Sequence, residues 1–247
     1  MTPVVQISDC HLFADPHRCG YGGINPYRSL KKVLSCVRAL APEQVLVTGD
    51  LSADLSSASY SHFRELWQQA DIDAALHVIP GNHDEPIHLQ QYFAKEMQWL
   101  QTPLKMHNWQ IHGLNSHYKG TLGWVDENQL KQLRDSVMAS PQAHHLVAVH
   151  HHPMLCHSWM DKHQWCNREA FLTLLQSLPQ IRLVVHGHVH ADLHWQVEQT
   201  QILACPSTCW QWQHGPDFGV DEQPPGLRLM KLTAQGKWYT EVIRCNG

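Results

Sequence analysis

Five stretches of this chain combine residue types and spacings that could do chemistry: Asp9-Cys10-His11, Gly49-Asp50, Gly81-Asn82-His83-Asp84, His150-His151-His152-Pro153 and Gly187-His188-Val189-His190. Carboxylate, amide and imidazole groups are the donors that hold divalent and trivalent cations such as iron, manganese or zinc. Two such cations about 3.5–4 Å apart make a centre that can cleave a phosphoester. Such a centre takes roughly seven or eight oxygen and nitrogen donors, more than one element can offer. Singly, each fragment is commonplace: Gly-Asp is a frequent turn, and a surface His-x-His is usually nothing. The ordered succession carries the argument.

That succession requires elements that bring distant stretches together. Val4, Val5 and Ile7 predict a buried strand over Thr2 to Ser8, directly before Asp9 and His11. If extended geometry persists there, Asp9 and His11 share a face and Cys10 points away; the same holds for His188 and His190, with Gly187 permitting a tight turn. Leu30, Val33, Leu34, Val37 and Leu40 give helical spacing within Asn25 to Leu40, and Tyr60, Phe63, Leu66, Trp67 and Ala70 mark a second helix. Strands are predicted at Gln44 to Thr48, before Gly49-Asp50, and at Ala75 to Ile79, before Gly81-Asn82. The second half repeats the logic. A weakly alternating Trp109 to Leu114, a helix through Leu130, Leu133 and Val137, and an apolar run from Leu146 to Val149 lead into the histidine turn. A helix from about Arg168 to Leu178 and a strand from Ile181 to Val185 lead to His188. Gly226 to Leu232 and Lys237 to Ile243 predict a hairpin around Gly236, and Gln211 to Pro225 a long loop. The pattern is α/β with at least eight strands, the candidate ligands following the strands' C-terminal ends, where open α/β sheets bind ligands.

The order and wording of these signatures resemble the calcineurin-like metallophosphoesterase superfamily. Leu12-Phe13-Ala14-Asp15, His150-His151-His152-Pro153, Asn167-Arg168, Pro206-Ser207-Thr208-Cys209 and Pro225-Gly226 narrow the resemblance to bacterial class III cyclic-AMP phosphodiesterases, from Val4 to Arg244. It implies a four-layer sandwich of two mixed β-sheets flanked by helices. It also implies two metal ions, iron or manganese with zinc compatible: Asp9, His11 and His190 on the first, Asn82, His151 and His188 on the second, and Asp50 bridging. His151 is chosen because the superfamily's ligand sits in a His-x-Pro frame; His150 and His152 are the alternatives.

The implied reaction is hydrolysis of 3′,5′-cyclic AMP to 5′-AMP by in-line attack of a hydroxide held between the metals. His11, Asp50, Asn82, His83 and His190 would face the substrate, with His83 as general acid at the leaving oxygen and Asp84 orienting its ring. An N-cap role before Pro86 is the competing reading of Asp84. Trp159, Trp165 or Trp210 could stack on adenine, with core or loop packing the alternative for each. Asn115, where the family often has Asp, and Gly120 to Asp126 depart from the family pattern and bear on the substrate rim. Gly49-Asp50-Leu51-Ser52 lacks the Asp-Arg-Gly of protein phosphatases. A broader phosphodiesterase acting on 2′,3′-cyclic nucleotides or glycerophosphodiesters, and a non-catalytic scaffold of the same fold, are the competing functions.

Composition bounds the rest. Ligands scattered from residue 9 to residue 190 of 247 argue for one domain over 1–247. A net charge of −4, from 18 Lys and Arg against 22 Asp and Glu, argues against polynucleotide partners. The eight cysteines form no Cys-x-x-Cys pair, and the start has no signal-peptide pattern, which predicts reduced thiols in the cytoplasm; a Cys205–Cys209 bridge stays open. No apolar run has transmembrane length, so no membrane partner is expected. The oligomeric state is not legible.

Overall fold

A computed structural model describes residues 1–246. Strands β1 (Thr2–Ile7), β2 (Gln44–Val47) and β3 (Ala75–Val78) alternate with helices α1 (Pro26–Leu40) and α2 (Ser57–Ala70) and are followed by α3 (Pro86–Phe93). The middle of the chain holds β4 (Leu104–Met106), β5 (Trp109–Gly113), a ribbon of β6 (His117–Lys119) and β7 (Leu122–Gly123), α4 (Glu127–Ala139), β8 (His144–Val149), α5 (Arg168–Ser177) and β9 (Ile181–His186). The last stretch adds β10 (His194–Val197), β11 (Thr200–Ala204), a ribbon of β12 (Gln211–Trp212) and β13 (Val220–Asp221), and the hairpin β14 (Gly226–Leu232) and β15 (Trp238–Arg244).

Two mixed sheets result, ordered β15-β14-β1-β2-β3 and β10-β11-β9-β8-β5-β4. In the first, β1, β2 and β3 run parallel and β14 pairs antiparallel with β1, Val5 facing Leu229. In the second, β5, β8, β9 and β11 are parallel and both edge strands antiparallel. Val4 and Val5 of β1 and Leu146 to Val149 of β8 are apolar on both faces because each face is covered. The period-2 geometry of the strands divides their side chains between layers. Leu146 and Ala148 of β8 join Val4, Leu46, Leu183 and Met230 between the sheets, while Val147 and Val149 face Leu133, Val137, Phe171 and Leu175 of α4 and α5. On the other side, Val5 and Ile7 meet Leu30, Val33, Leu34 and Val37 of α1 and Tyr60 and Phe63 of α2. Helix, sheet, sheet, helix is the layering the resemblance implies.

Local signals account for the helix ends. The Asn25 side chain accepts the Arg28 N–H at 2.8 Å, Pro26 occupies the first turn, and Ala41 ends α1 in the left-handed region. The β14/β15 hairpin is paired from Gly226–Arg244 to Leu232–Trp238. Gln211 to Pro225 is not simply a loop: it contains the β12/β13 ribbon and buries Trp212. All eight cysteines are free, so Cys205 and Cys209 are not bridged; the Cys209 thiol instead lies 3.1 Å from Ser207 Oγ.

Candidate metal centre

The C-terminal ends of β1, β2, β8 and β9 open into one cleft, and the polar side chains beyond them converge there. His190 Nε2 lies 3.3 Å from Asp9 Oδ1 and 3.1 Å from His11 Nε2. His150 Nε2 lies 3.1 Å from Asn82 Oδ1, and His188 joins His150 and Asp50 in a second buried group. Asp50 Oδ2 stands between the two groups, 3.8 Å from His11 Nε2 and 3.3 Å from His150 Nε2. One carboxylate in reach of both groups can neutralise two cations at once and hold them close.

The imidazoles are set for cations by what their outer nitrogens do. His150 Nδ1 donates to the Thr48 carbonyl at 2.7 Å, His190 Nδ1 to that of Trp210 at 2.8 Å, and His188 Nε2 to that of His163 at 3.0 Å. A proton fixed on the outer nitrogen leaves the inner lone pair for a metal. Burial pushes His11 down to about 3 and, with the neighbouring rings, His188 well below the usual range. At His150 burial also opposes charge, yet the Asp50 carboxylate overrides it and lifts the ring to about 9. The site thus resists protons on some rings while calling for positive charge beside Asp50. Oxygen and nitrogen donors of this kind fit iron, manganese or zinc.

The backbone reaches this arrangement by a route the sequence did not suggest. Asp9 (φ 57°), His11 (φ 46°), Asp50 (φ 55°), His188 (φ 70°) and His190 (φ 46°) are all left-handed, not extended. Such a conformation costs roughly 1–2 kcal/mol at a non-glycine residue, least for Asp, Asn and His. Gly187 matters for close approach rather than for the turn itself, since a Cβ there would collide with Ser8 Oγ and come 2.7 Å from Asp9 Oδ2. Gly49 combines φ 93° with a Cβ position 2.7 Å from His150 Nδ1.

The cleft brings together Asp9, His11, Asp50, Asn82, His188 and His190. His151 stands beside this set: its Nδ1 lies 2.8 Å from Ser116 Oγ, its ring centroid is 4.6 Å from that of His188, and its Nε2 is buried without a hydrogen-bond partner. His150, the alternative to His151, also reaches the site, its Nε2 3.3 Å from Asp50 Oδ2. The physical reason is direction: β8 runs through Val149, and the residue directly after it points at the end of β2, where the Thr48 carbonyl catches its ring.

Asp84 also differs from both readings made of it. Its carboxylate accepts backbone N–H groups from Asp50 (2.8 Å), Leu51 (3.0 Å), Ser52 (3.3 Å) and Gly81 (2.9 Å) and the Tyr60 hydroxyl at 3.2 Å. It clamps the Asp50 loop; among the described residues it makes no hydrogen bond to the His83 ring, and the N-cap of α3 is Glu85. His83 is exposed at the mouth, its ring edge-on to His11 at 5.2 Å and its backbone N–H on Asp50 Oδ1 at 2.7 Å.

The cleft encloses about 670 Å³ and is walled by aromatic side chains. Trp159 and Trp210 line it, whereas Trp165 is buried against Phe171 behind the second sheet. Tyr21, Trp212 and Phe218 complete the wall, and sequence reasoning missed all three. Trp210 stacks on His11 and Trp212 on His190, with centroids 5.2 and 4.8 Å apart. Gly215 and Gly219 beside Phe218 were the available signal, read only as a loop.

Residues 2–192 match the calcineurin-like phosphoesterase family. Over 98% of its length the chain is 35% identical to the 3′,5′-cyclic adenosine monophosphate phosphodiesterase CpdA of Escherichia coli strain K12, covering 89% of that protein. It is 31% identical to the 3′,5′-cyclic-nucleotide phosphodiesterase alr5338 of Nostoc sp., covering 98% of this chain and 91% of the relative. Among solved structures, a dimetal phosphatase from Danio rerio matches over 99% of both chains with a TM-score of 0.69 and 13% identity. Purple acid phosphatase from yellow lupin matches 99% of this chain and 51% of its own, with a TM-score of 0.67 and 12% identity. At such identities these two speak for the fold alone.

Proposed function

The chain belongs to the calcineurin-like phosphoesterase family, and on that premise we propose that it hydrolyses the phosphodiester of 3′,5′-cyclic AMP to give 5′-AMP. The observation that carries the reading is the position of the Asp50 carboxylate between two donor groups, in a chain similar from end to end to cyclic-AMP phosphodiesterases. Asp9, His11 and His190 would hold one cation and Asn82, His188 and His151, or His150 in its place, the other, with Asp50 between; iron or manganese is proposed, and zinc also suits the donors. When bound, the cations would supply Lewis acidity at the phosphoryl oxygens and a water acidic enough to act as nucleophile near neutral pH.

The protein's own part lies at the leaving group. The bond from phosphorus to O3′ breaks as water adds at phosphorus, and an alkoxide leaves poorly without a proton. His83 is the exposed imidazole at the cleft mouth, and its backbone N–H holds it to the carboxylate at the centre. We assign it the delivery of that proton to O3′. Asp84 acts one step removed, fixing the loop that presents Asp50. The cleft volume lies within the range of small-molecule sites, and its aromatic wall excludes water from one side of the substrate. The net charge of −4 argues against a polynucleotide.

Two coarser readings accompany this one. The core shared between the sheets supports a single domain over 1–247. Eight free thiols suit a reducing compartment, and we propose the cytoplasm; no helix is long and apolar enough to cross a membrane among the described residues.

The test is a turnover panel of protein loaded with iron or manganese, using 3′,5′-cyclic AMP, 3′,5′-cyclic GMP, 2′,3′-cyclic AMP and bis(p-nitrophenyl) phosphate. The highest kcat/KM is expected for 3′,5′-cyclic AMP. A higher value for 2′,3′-cyclic AMP or the aryl diester would overturn the substrate and leave a broader phosphodiesterase.

A further inference from the structure

Behind the second donor group lies a histidine that the reaction does not use. His152 is fully buried, and neither ring nitrogen has a hydrogen-bond partner. A neutral imidazole in that condition leaves two polar atoms unsatisfied, a cost that folded proteins rarely carry without a reason. Its Nε2 points toward Asp161 Oδ1 at 3.6 Å, too long for a hydrogen bond. Asp161 Oδ1 in turn lies 3.2 Å from Cys156 Sγ, and the three donor atoms all fall within 4.8 Å of one another.

A tetrahedral zinc with ordinary nitrogen, oxygen and sulfur bond lengths separates its ligand atoms by about 3.3–3.6 Å. The His152 Nε2–Asp161 Oδ1 separation of 3.6 Å lies at that edge, and the Cys156 Sγ–Asp161 Oδ1 separation of 3.2 Å is slightly shorter than it. Spacing agrees as well, with three residues between His152 and Cys156 and four between Cys156 and Asp161, all in one loop. We propose that His152 Nε2, Cys156 Sγ and Asp161 Oδ1 form a third cation site, separate from the phosphoesterase centre, that takes zinc. The thiolate distinguishes it from the all-oxygen-and-nitrogen set in the cleft and selects a softer ion than manganese. Binding releases the thiol proton, and a water completes the fourth position.

The site would be a staple. The His152 ring stacks on that of His188, centroids 5.4 Å apart and 14° from parallel. Asp161 also opens the short helical turn Trp159–His163 by a reciprocal cap with Ser158. The His163 carbonyl at its end accepts the outer proton of His188. Zinc in this loop therefore fixes both the ring packed on His188 and the carbonyl that sets its tautomer, so its loss should weaken the neighbouring cation roughly ten- to a hundredfold.

The experiment reconstitutes the whole chain with cobalt(II) in place of zinc and records its absorption, beside elemental analysis of the zinc-loaded protein. A thiolate-to-cobalt charge-transfer band is expected in the parent chain and absent in Cys156→Ser, and Cys156→Ser and Asp161→Asn should each hold one zinc fewer than the parent. No thiolate band in the parent, which needs no variant to fold, overturns the proposal. So does a band that persists in Cys156→Ser, or equal zinc content in parent and variant; Cys156 and Asp161 would then be joined only by an S–H···O contact. Because the thiolate band does not depend on turnover, failure of the phosphodiesterase reading leaves this result standing.

Discussion

The two sheets contribute unlike chemistry to the cleft. The strands of the first deliver Asp9, His11, Asp50 and Asn82, and thus all the negative charge; those of the second deliver His150, His188 and His190, imidazoles only. The carboxylates of the first half also accept backbone N–H groups, Asp9 from His188 at 3.1 Å and Asp50 from His83 at 2.7 Å. The rings of the second half are tied instead through their outer nitrogens to carbonyls. One half therefore supplies charge and the other supplies direction. On the two-cation reading, removing the shared Asp50 charge should be felt by both cations, whereas removing a ring should be felt by one.

Asp50→Ala puts that contrast to its hardest test, with the largest expected effect. Both metals should be lost on dialysis, and turnover with them. Elemental analysis that still finds two tightly held metals would break the assignment of Asp50 as the shared ligand. The fold should survive, since the apolar layer between the sheets does not involve Asp50 and each fully buried Leu or Val there contributes about 1.5–3 kcal/mol.

For a ring the expectation is narrower. Of His150 and His151, the ligand's alanine variant should lose the second metal and keep the first, while the other's should keep both, since both rings reach the second donor group. Equal loss from the two variants would remove the distinction. Smaller again is His83→Ala, which should retain both metals yet lose roughly 10²–10⁴ in kcat on cyclic AMP. On a nitrophenyl diester, whose leaving group departs without a proton, the loss should shrink markedly. Equal losses on both substrates would withdraw the general-acid role.

The smallest effect concerns acid. His112 and His145 meet in the second sheet at 2.9 Å, and burial together with its partner pushes His112 down to about 3. An unfolded histidine titrates near 6.5, so between that pH and about 3 the unfolded chain binds a proton that the folded chain refuses. Stability is therefore undiminished above pH 6.5 and falls as pH drops, by about 1 kcal/mol per such ring between pH 6.5 and 5.5. Urea unfolding at those two pH values should show His112→Phe losing less stability than the parent over that interval. An identical loss would remove His112 as a source of acid sensitivity.

Much of this centre was legible because strand ends announce themselves: apolar β-formers stop, and Asp9, Asp50, Asn82 and His188 follow within a few residues. The four-layer sandwich came from resemblance, since periodicity finds strands but not which sheet they join. The approach of His150 to Asp50 and Asn82 was not legible, because a motif frame carries no strand direction. Asp84 was misread because its five partners come from Tyr60, Gly81 and the Asp50 loop, contacts that no local spacing encodes. The aromatic wall escaped for a similar reason, its parts coming from residue 21 and from the 210–218 segment, which meet only in the folded chain.

Left-handed backbone at five of the proposed ligand positions narrows what descent can do with this scaffold. A lineage that abandoned phosphoester chemistry would no longer need Asp9, His11, Asp50, His188 or His190 for their side chains, yet would inherit their dihedral angles. Replacement by Asn or Gly keeps those angles accessible, whereas a β-branched residue must reshape the turn around it. Inactive descendants should thus drift toward asparagine and glycine at these sites. A fold-preserving relative with valine or isoleucine at several of them would show that the turns bend to the residue and not the residue to the turn.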